Sequence, residues 1–280
     1  MFRQRGVSLL ANLRAIRTRI KSVESTRQIT KSMKMVAAAK LRKTQQASAA
    51  LRRFAGMSQA LLRSVPADPS NPYLRQNGEG GKTCYVLIVG NRGLCGTYNQ
   101  ALLRWARERM EPDSMLVVCG RWGRDQIGPS ERSFEISDAP TAEEAKALSG
   151  YLKGLFLEGK ADRIVLLYQG FASVLKQEPA EKILLPLTLP EAEETGTGWL
   201  YEPDRKTVTE ALVEQVLDST VHSVLLEART GEHAARMTAM TAATDNTEEL
   251  IGELTLELNH ARQAAITTEI SEIVGGAAAL

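Results

Sequence analysis

Apolar residues at both ends of the chain recur at alternating steps of three and four. The first stripe runs through Leu9, Leu13, Ile16, Ile20 and Val23, resumes at Ile29, Met33, Val36 and Leu41, and continues loosely through Leu51, Phe54 and Ala55. The second runs through Leu212, Val216, Ala234, Met237 and Met240, then Leu250, Leu254, Leu258, Ala261 and Ala265. Such stepping puts apolar side chains on one narrow helical face, the seam of a coiled coil. All 10 prolines fall between Pro66 and Pro203, so neither end holds the residue that most strongly interrupts a helix. Continuous helices there would reach roughly 80 Å and roughly 100 Å at about 1.5 Å per residue. Thr207 and Glu210, just after Pro203, have the spacing of a capping box and predict where the second helix starts. The competing reading divides each end into shorter bundle helices, with Gly56, Gly231 and Gly252 as the breaks.

The middle has a different rhythm. Short β-rich runs at Tyr85–Val89, Met115–Cys119, Arg163–Tyr168 and Lys182–Leu185 alternate with helical stretches at Tyr98–Met110 and Thr141–Leu157. That alternation predicts βαβ units and a mainly parallel sheet. The acidic, Gly- and Thr-containing stretch Glu191–Gly198 reads as a surface loop before the last helix. The resulting division is 1–66, 67–203 and 204–280.

Charge sharpens this division. Met1–Pro66 carries fifteen Lys or Arg and one acid, Glu24, whereas Asp204–Leu280 carries thirteen acids and five bases, inside a total of only +2. Two stripes of opposite sign, joined through one domain, can attract each other. No window supplies the roughly 20 apolar residues of a membrane span. Cys84, Cys95 and Cys119 are odd in number, lack a Cys-x-x-Cys spacing and sit in or beside apolar runs, as reduced thiols of a cytosolic protein would. Met1–Leu10 lacks the apolar core of a signal peptide.

Several motifs invite a chemical reading. Gly78-Glu79-Gly80-Gly81-Lys82-Thr83 ends like a phosphate-binding P-loop, but it precedes a strand, and Gln76 stands where the first glycine belongs. Gly90, Gly93 and Gly96 lie between a strand and a helix, as in a dinucleotide fold, with Gly-x-x-Gly-x-x-Gly in place of Gly-x-Gly-x-x-Gly. The next strand ends in Cys119, Gly120 and Arg121, without the acid that would hold a ribose, so the run reads as a tight strand-to-helix turn. His222, His233 and His260 offer no i, i+4 chelating pair, and Glu248, Glu249 and Glu253 read as a solvated helix face. There is no Gly-x-Ser-x-Gly elbow. The expectation is a chain without catalytic, cofactor or metal residues. The basic segment would also suit phosphate, but it contains only Phe2 and Phe54 as base-stacking aromatics, so a nucleic-acid-binding rod is disfavoured.

Longer blocks carry a family resemblance. TRQITKSMKMVAAAKLRK at Thr26–Lys43, RGLCG at Arg92–Gly96, LYEPD at Leu200–Asp204, EHAARMTAMTAATDN at Glu232–Asn246 and ARQAAITTEISEIVGGAAA at Ala261–Ala279 resemble the gamma subunit of F-type ATP synthases, in order from about Asn12 to Leu280. The resemblance implies an α/β fold in which the N- and C-terminal helices form a long antiparallel coiled coil around a central Rossmann-like domain that holds no nucleotide. It implies a non-catalytic rotor shaft that couples proton-driven rotation of a c-ring to conformational cycling of the catalytic beta subunits. Its partners would be the alpha, beta and epsilon subunits and the c-ring, and its location peripheral, on the cytoplasmic side of a bacterial inner membrane.

By the same resemblance, Met33, Arg236, Arg262, Gln263 and Thr267 would lie at the rotor–stator contact. Lys31, Lys34, Lys40, Arg42 and Lys43 would face acidic beta-subunit loops or pair with the acidic C-terminal helix, and Tyr201 and Glu202 would lie at the foot near the ring. The small and aliphatic run Ile270, Ile273, Val274, Gly275, Gly276 and Ala277–Ala279 would suit a bearing that sticks weakly at every angle. Two departures stand out: Met1–Leu10 extends ahead of the usual start, and Thr241 stands where the family often has Lys.

Overall fold

The computed structural model describes residues 2–64, 71–74, 81–122, 124–188 and 200–278. Gly78–Gly80, the predicted loop Glu191–Gly198 and the side chain of Leu9 lie outside the described residues. In chain order the elements are α1 (Phe2–Ser64), β1 (Thr83–Ile88), α2 (Tyr98–Arg109), β2 (Met115–Cys119), α3 (Arg124–Ile127), β3 (Arg132–Phe134), α4 (Ala142–Leu157), β4 (Arg163–Phe171), β5 (Gln177–Leu185) and α5 (Arg205–Ala278). The chain divides into a smaller unit of Met1–Val36 with Ala239–Leu280 and a larger unit of Ala37–Thr238.

Both end helices are continuous, 63 and 74 residues long, and run through Gly56, Gly231 and Gly252 without a break. Gly231 serves close packing instead, since a Cβ there would come within 3.2 Å of the Tyr98 ring. Helix α5 begins one turn earlier than the predicted capping box. Asp204 is the capping residue: its carboxylate accepts from the Thr207 N–H at 3.0 Å and from the Thr207 hydroxyl at 2.7 Å. A true capping box occurs at α4, where Thr141 and Glu144 each accept from the other's backbone N–H.

In the smaller unit α1 and α5 are antiparallel. Arg27 approaches Glu248 at 4.0 Å and the Thr30 and Thr244 hydroxyls lie 3.0 Å apart, so positions fall along α5 as they rise along α1. The seam on α1 takes Leu13, Ile16, Ile20, Val23, Arg27 and Thr30; on α5 it takes Met240, Thr244, Ile251, Leu254, Leu258, Ala261 and Ala265. Ile29 and Val36 are not part of it, being 59% and 55% exposed. The heptad step from Val23 leads to Arg27 and Thr30, and it is the phase, not the size of the nearest apolar residue, that decides which side chain is covered. In the larger unit Ala37, Leu41, Thr44, Ser58 and Leu62 are the buried positions of α1, and Gln215 of α5 donates to the Ser58 hydroxyl at 3.3 Å.

The larger unit is built on a five-stranded sheet of order β3-β2-β1-β4-β5. Strands β3, β2, β1 and β4 are parallel, with Val86 opposite both Val117 and Leu166; β5 is antiparallel to β4. All six residues of β1 are buried. Cys84, Val86 and Ile88 join the core that includes α4 and α5, while Tyr85 and Leu87 join the core that includes α2. A strand covered on both faces needs apolar residues without alternation, which is the run the sequence displays. Lys153 of α4 reaches Asp218 of α5 at 3.0 Å, and the Ser149 hydroxyl donates to the same carboxylate at 2.6 Å. The three cysteines are buried and free, and burial pushes the Cys84 and Cys119 thiols up to about 12.

The hydroxyl pair generates a test. Replacing Thr244 by Val leaves the Thr30 hydroxyl only its bond to Arg27 O and sets an apolar methyl against it in the seam, whereas replacing both removes the polar pair together. We expect Thr244→Val to cost about 1 kcal/mol and the Thr30→Val/Thr244→Val double change to cost less than the sum of the singles by about 0.5–1 kcal/mol. Denaturant titration of the four chains measures this; strict additivity would contradict the pairing.

Candidate functional site

In open α/β sheets ligands collect at the carboxyl ends of the strands, where neighbouring connections leave a crevice. At the exits of β1 and β4 the chain fills that position itself, while a cavity lined by Asn91, Arg121, Glu135 and Asp138 stays open at the exits of β1, β2 and β3. The Asn99 side chain accepts from the Gly90 N–H at 2.8 Å, and the Glu232 carboxyl lies so close that a Cβ on Gly90 would meet both groups at 3.0 Å. The Tyr98 hydroxyl donates to Ala228 O of α5 at 2.5 Å, and Gln169 of β4 donates to Tyr98 O at 2.9 Å. The Gly90–Gly96 run is a tight entry into α2, and the mouth beside it holds a carboxylate of the protein's own α5. Arg121, where a ribose-binding acid was sought, pairs with Glu135 at 3.2 Å. At the other glycine motif, Asp162 accepts from the Lys82 N–H at 2.9 Å and Thr83 opens β1.

Glu232 is the centre of a buried ionic cluster that the sequence reading missed. Arg229 lies 2.5 Å from one carboxylate oxygen and Arg236 2.6 Å from the other. Arg229 and Glu232 are each 1% exposed. Arg229 also donates to Val89 O at 3.3 Å, to the Asn91 side chain at 3.0 Å and to Ile136 O at 3.1 Å. Arg236 donates to Arg92 O and Gly93 O at 3.2 and 3.3 Å. The signal was present in the sequence as Arg-x-x-Glu-x-x-x-Arg, three charges on one helical face inside an otherwise apolar stretch. Burial alone would raise the Glu232 carboxyl; the two guanidinium charges outweigh it and hold it below the usual carboxylate range.

Beside the cluster, Lys40 of α1 reaches Asp138 at 2.5 Å, and the His233 ring shares a hydrogen bond of 3.0 Å with Asp138 O. A carbonyl only accepts, so Nε2 of His233 carries the proton. Burial pushes His233 below its ordinary pKa, against the raising effect of the Asp138 carbonyl. Burial also works to raise Asp138, but the hydrogen bond and charge of Lys40 prevail and its carboxyl titrates below the usual range. His222 sits against Pro140 O at 3.0 Å and His260 is exposed. Among the described residues no group of three or more His, Cys, Asp or Glu side chains could hold a metal ion.

The residues assigned by resemblance fall into three environments. Arg262, Gln263 and Thr267 are exposed on α5 of the smaller unit, where Met33 of α1 is half-buried, while Arg236 belongs to the ionic cluster of the larger unit. Lys31, Arg42 and Lys43 are exposed and Lys34 is half-buried; among the described residues none of the four is ion-paired. Arg27–Glu248 is the one ion pair between α1 and α5 among the described residues. Lys40 departs from both expectations, because Asp138 in the loop after β3 holds it. Tyr201 is half-buried and Glu202 exposed, just ahead of α5.

Three shifts give the cluster a defined pH response. Each favours the species present at neutral pH: His233 uncharged, Asp138 and Glu232 ionised. As pH falls, the unfolded chain takes up a proton at His233 near 6.5, and at Glu232 and Asp138 near 4.5 and 3.8, before the folded chain does. Stability present above those values is lost below them. Melting temperature should decline on acidification below about pH 6.5, and His233→Gln, which retains an N–H toward Asp138 O, should remove the first part of that decline. A rise in melting temperature between about pH 6.5 and 5 would contradict this assignment.

Comparison with known proteins follows the same lines. The family model described as ATP synthase matches residues 12–280. The chain is 42% identical over 281 residues to the ATP synthase gamma chain of Moorella thermoacetica, covering 97% of this chain and 100% of that one. It is also 42% identical over 282 residues to the gamma chain of Desulfitobacterium hafniense, with the same coverage. Among solved structures, a chain of the Euglena gracilis mitochondrial ATP synthase OSCP/F1/c-ring assembly superimposes with a TM-score of 0.72 at 21% identity, covering 96% of this chain and 94% of that one. A chain of the Tetrahymena thermophila mitochondrial ATP synthase central stalk and c-ring gives 0.61 at 24% identity, with 77% and 99% covered. At such identities the structural matches speak for the fold, and the sequence matches carry the family. With both end helices and the intervening sheet matched over residues 12–280, the chain belongs to the ATP synthase gamma chain family.

Proposed function

We propose that this chain is the central rotor shaft of an F-type ATP synthase, coupling proton-driven rotation of a c-ring to conformational cycling of catalytic beta subunits, while making and breaking no bonds itself. The observation that carries the reading is the gamma-chain similarity across nearly the whole sequence. Two features of the surface support it. Among the described residues Lys31 and Lys34 in the smaller unit, and Arg42 and Lys43 in the larger one, make no ion pair, which leaves basic charge available to acidic loops of a surrounding sleeve. Ile266, Ile270, Ile273 and Val274 are exposed on the last turns of α5, apolar surface that a protein sleeve would cover.

In this reading the alpha and beta subunits enclose the paired ends of α1 and α5, with Met33, Arg236, Arg262, Gln263 and Thr267 at the rotor–stator contact. Arg236 would act there through whatever donor capacity remains after its bonds to Glu232, Arg92 and Gly93. Tyr201 and Glu202 lie toward the c-ring, with the epsilon subunit alongside. This basic charge gives long-range attraction with little angular preference, which suits a part that must turn. Dispersion contacts from small aliphatic side chains add little directionality at any one angle. No helix among the described residues is long and apolar enough to cross a membrane. The membrane association we propose is peripheral, through the complex, on the cytoplasmic side of a bacterial inner membrane.

Reconstitution tests the reading. The purified chain alone should show no ATP hydrolysis, and adding it to alpha and beta subunits should yield a complex with raised hydrolysis. Changing Lys31, Lys34, Arg42 and Lys43 to Glu together should slow association by about tenfold or more at low salt, with the difference shrinking as salt rises. Failure of the parent chain to co-purify with alpha and beta subunits would overturn the assignment.

A further inference from the structure

We propose that the buried Arg229–Glu232–Arg236 cluster is a torque joint, fixing helix α5 in azimuth and height against the carboxyl edge of the central sheet, so that Arg229 and Glu232 are positioning residues for coupling. The inference rests on the rotor reading above. It starts from a mismatch between what holds α5 to the sheet and what a loaded shaft requires. Most of that contact is apolar, through Val213, Val216, Leu217, Val221, Val224 and Leu225. Burial of this kind resists separation but is not directional, so it does little to prevent a helix from rolling or sliding under load.

The ionic cluster supplies the missing direction. Arg229 reaches Val89 O and Asn91 at the exit of β1 and Ile136 O after β3, so one guanidinium is held by two strand exits. The Asn91 amide closes the arrangement by donating to Ile136 O at 2.6 Å. Two helical turns further, Arg236 clasps Arg92 O and Gly93 O, and Glu232 ties the two arginines together. The same loop after β3 receives Lys40 from α1 at Asp138 and the His233 ring at Asp138 O, so both long helices are tied to it within the larger unit.

Stability alone does not account for these residues. A buried ion cluster is often no more stable than well-packed apolar side chains of the same volume, whereas its bonds define one geometry. Water reaches neither Arg229 nor Glu232, each 1% exposed, so a bond broken under load has no solvent substitute and re-forms in place.

The test separates holding from mere folding. The double change Arg229→Met/Glu232→Gln removes the buried charges, fills the volume and leaves an amide for Arg236. In the assembled complex reconstituted into vesicles, we expect the melting temperature to stay within a few degrees of the parent and ATP hydrolysis to stay within about twofold. Protons pumped per ATP hydrolysed should fall at least about threefold, because α5 slips against the sheet. An unchanged proton-to-ATP ratio overturns the joint. If the double variant does not assemble, the milder Asn91→Ala, which frees one bond of Arg229, decides between a lowered ratio and an unchanged one. A parent complex that hydrolyses ATP but pumps no protons would fault the rotor reading instead, leaving the two failures distinguishable.

Discussion

The structure depends on one constraint: two helices from opposite ends of the same chain must share a seam whose covered positions step by three and four on both. In the smaller unit that seam sets Thr30 against Thr244 and Arg27 near Glu248. In the larger unit it sets Ser58 beside Gln215. A one-residue slip of either helix would expose Leu13, Ile16 and Leu254 and bury charged neighbours, so the register is strongly specified although few bonds fix it. Within the smaller unit α5 runs antiparallel to α1.

The seam is not rich. Thr30, Ala37, Thr44, Ser58 and Thr244 occupy buried positions where Leu or Ile would bury more surface, while Ile29, Met35, Val36 and Ile273 lie outside it and exposed. Helices in proteins gain most of their stability from packing, so exposed apolar surface of this kind calls for outside cover. The charge asymmetry fits the same need. With Arg27–Glu248 the sole ion pair joining the two helices among the described residues, the basic charge of α1 is largely left for other partners. In the larger unit α5 packs largely through apolar side chains and is tied in addition by the buried Arg229–Glu232 pair, whose bonds have a direction.

Much of this was legible because the relevant signals are periodic. The two long helices, β1, β2, α2 and α4 follow from stepping and from uninterrupted apolar runs. What escaped had no apolar run to reveal it. Strand β3 is three residues of Arg-Ser-Phe at a sheet edge, and the first half of β5 alternates charge with Pro179, which an edge strand tolerates because its N–H side needs no partner. The seam phase was misread at Ile29 and Val36 because size was followed where angular position governs. The start of α5 was misread because Asp204 lies one turn ahead of Thr207. The Arg229–Glu232 pair differs from other charges on α5 by its burial, which the sequence pattern does not display.

The most direct test of the central claim is a cysteine pairing across the seam. With Cys placed at Thr30 and Thr244, mild oxidation of the dilute full chain should give rapid, reductant-reversible cross-linking within one molecule. Cys84, Cys95 and Cys119 should stay out of the reaction, because all three are buried. Moving the first cysteine to Ile29, on the exposed side, should abolish rapid cross-linking. Equal cross-linking from Ile29, or bonds formed only between separate molecules, would contradict the antiparallel seam.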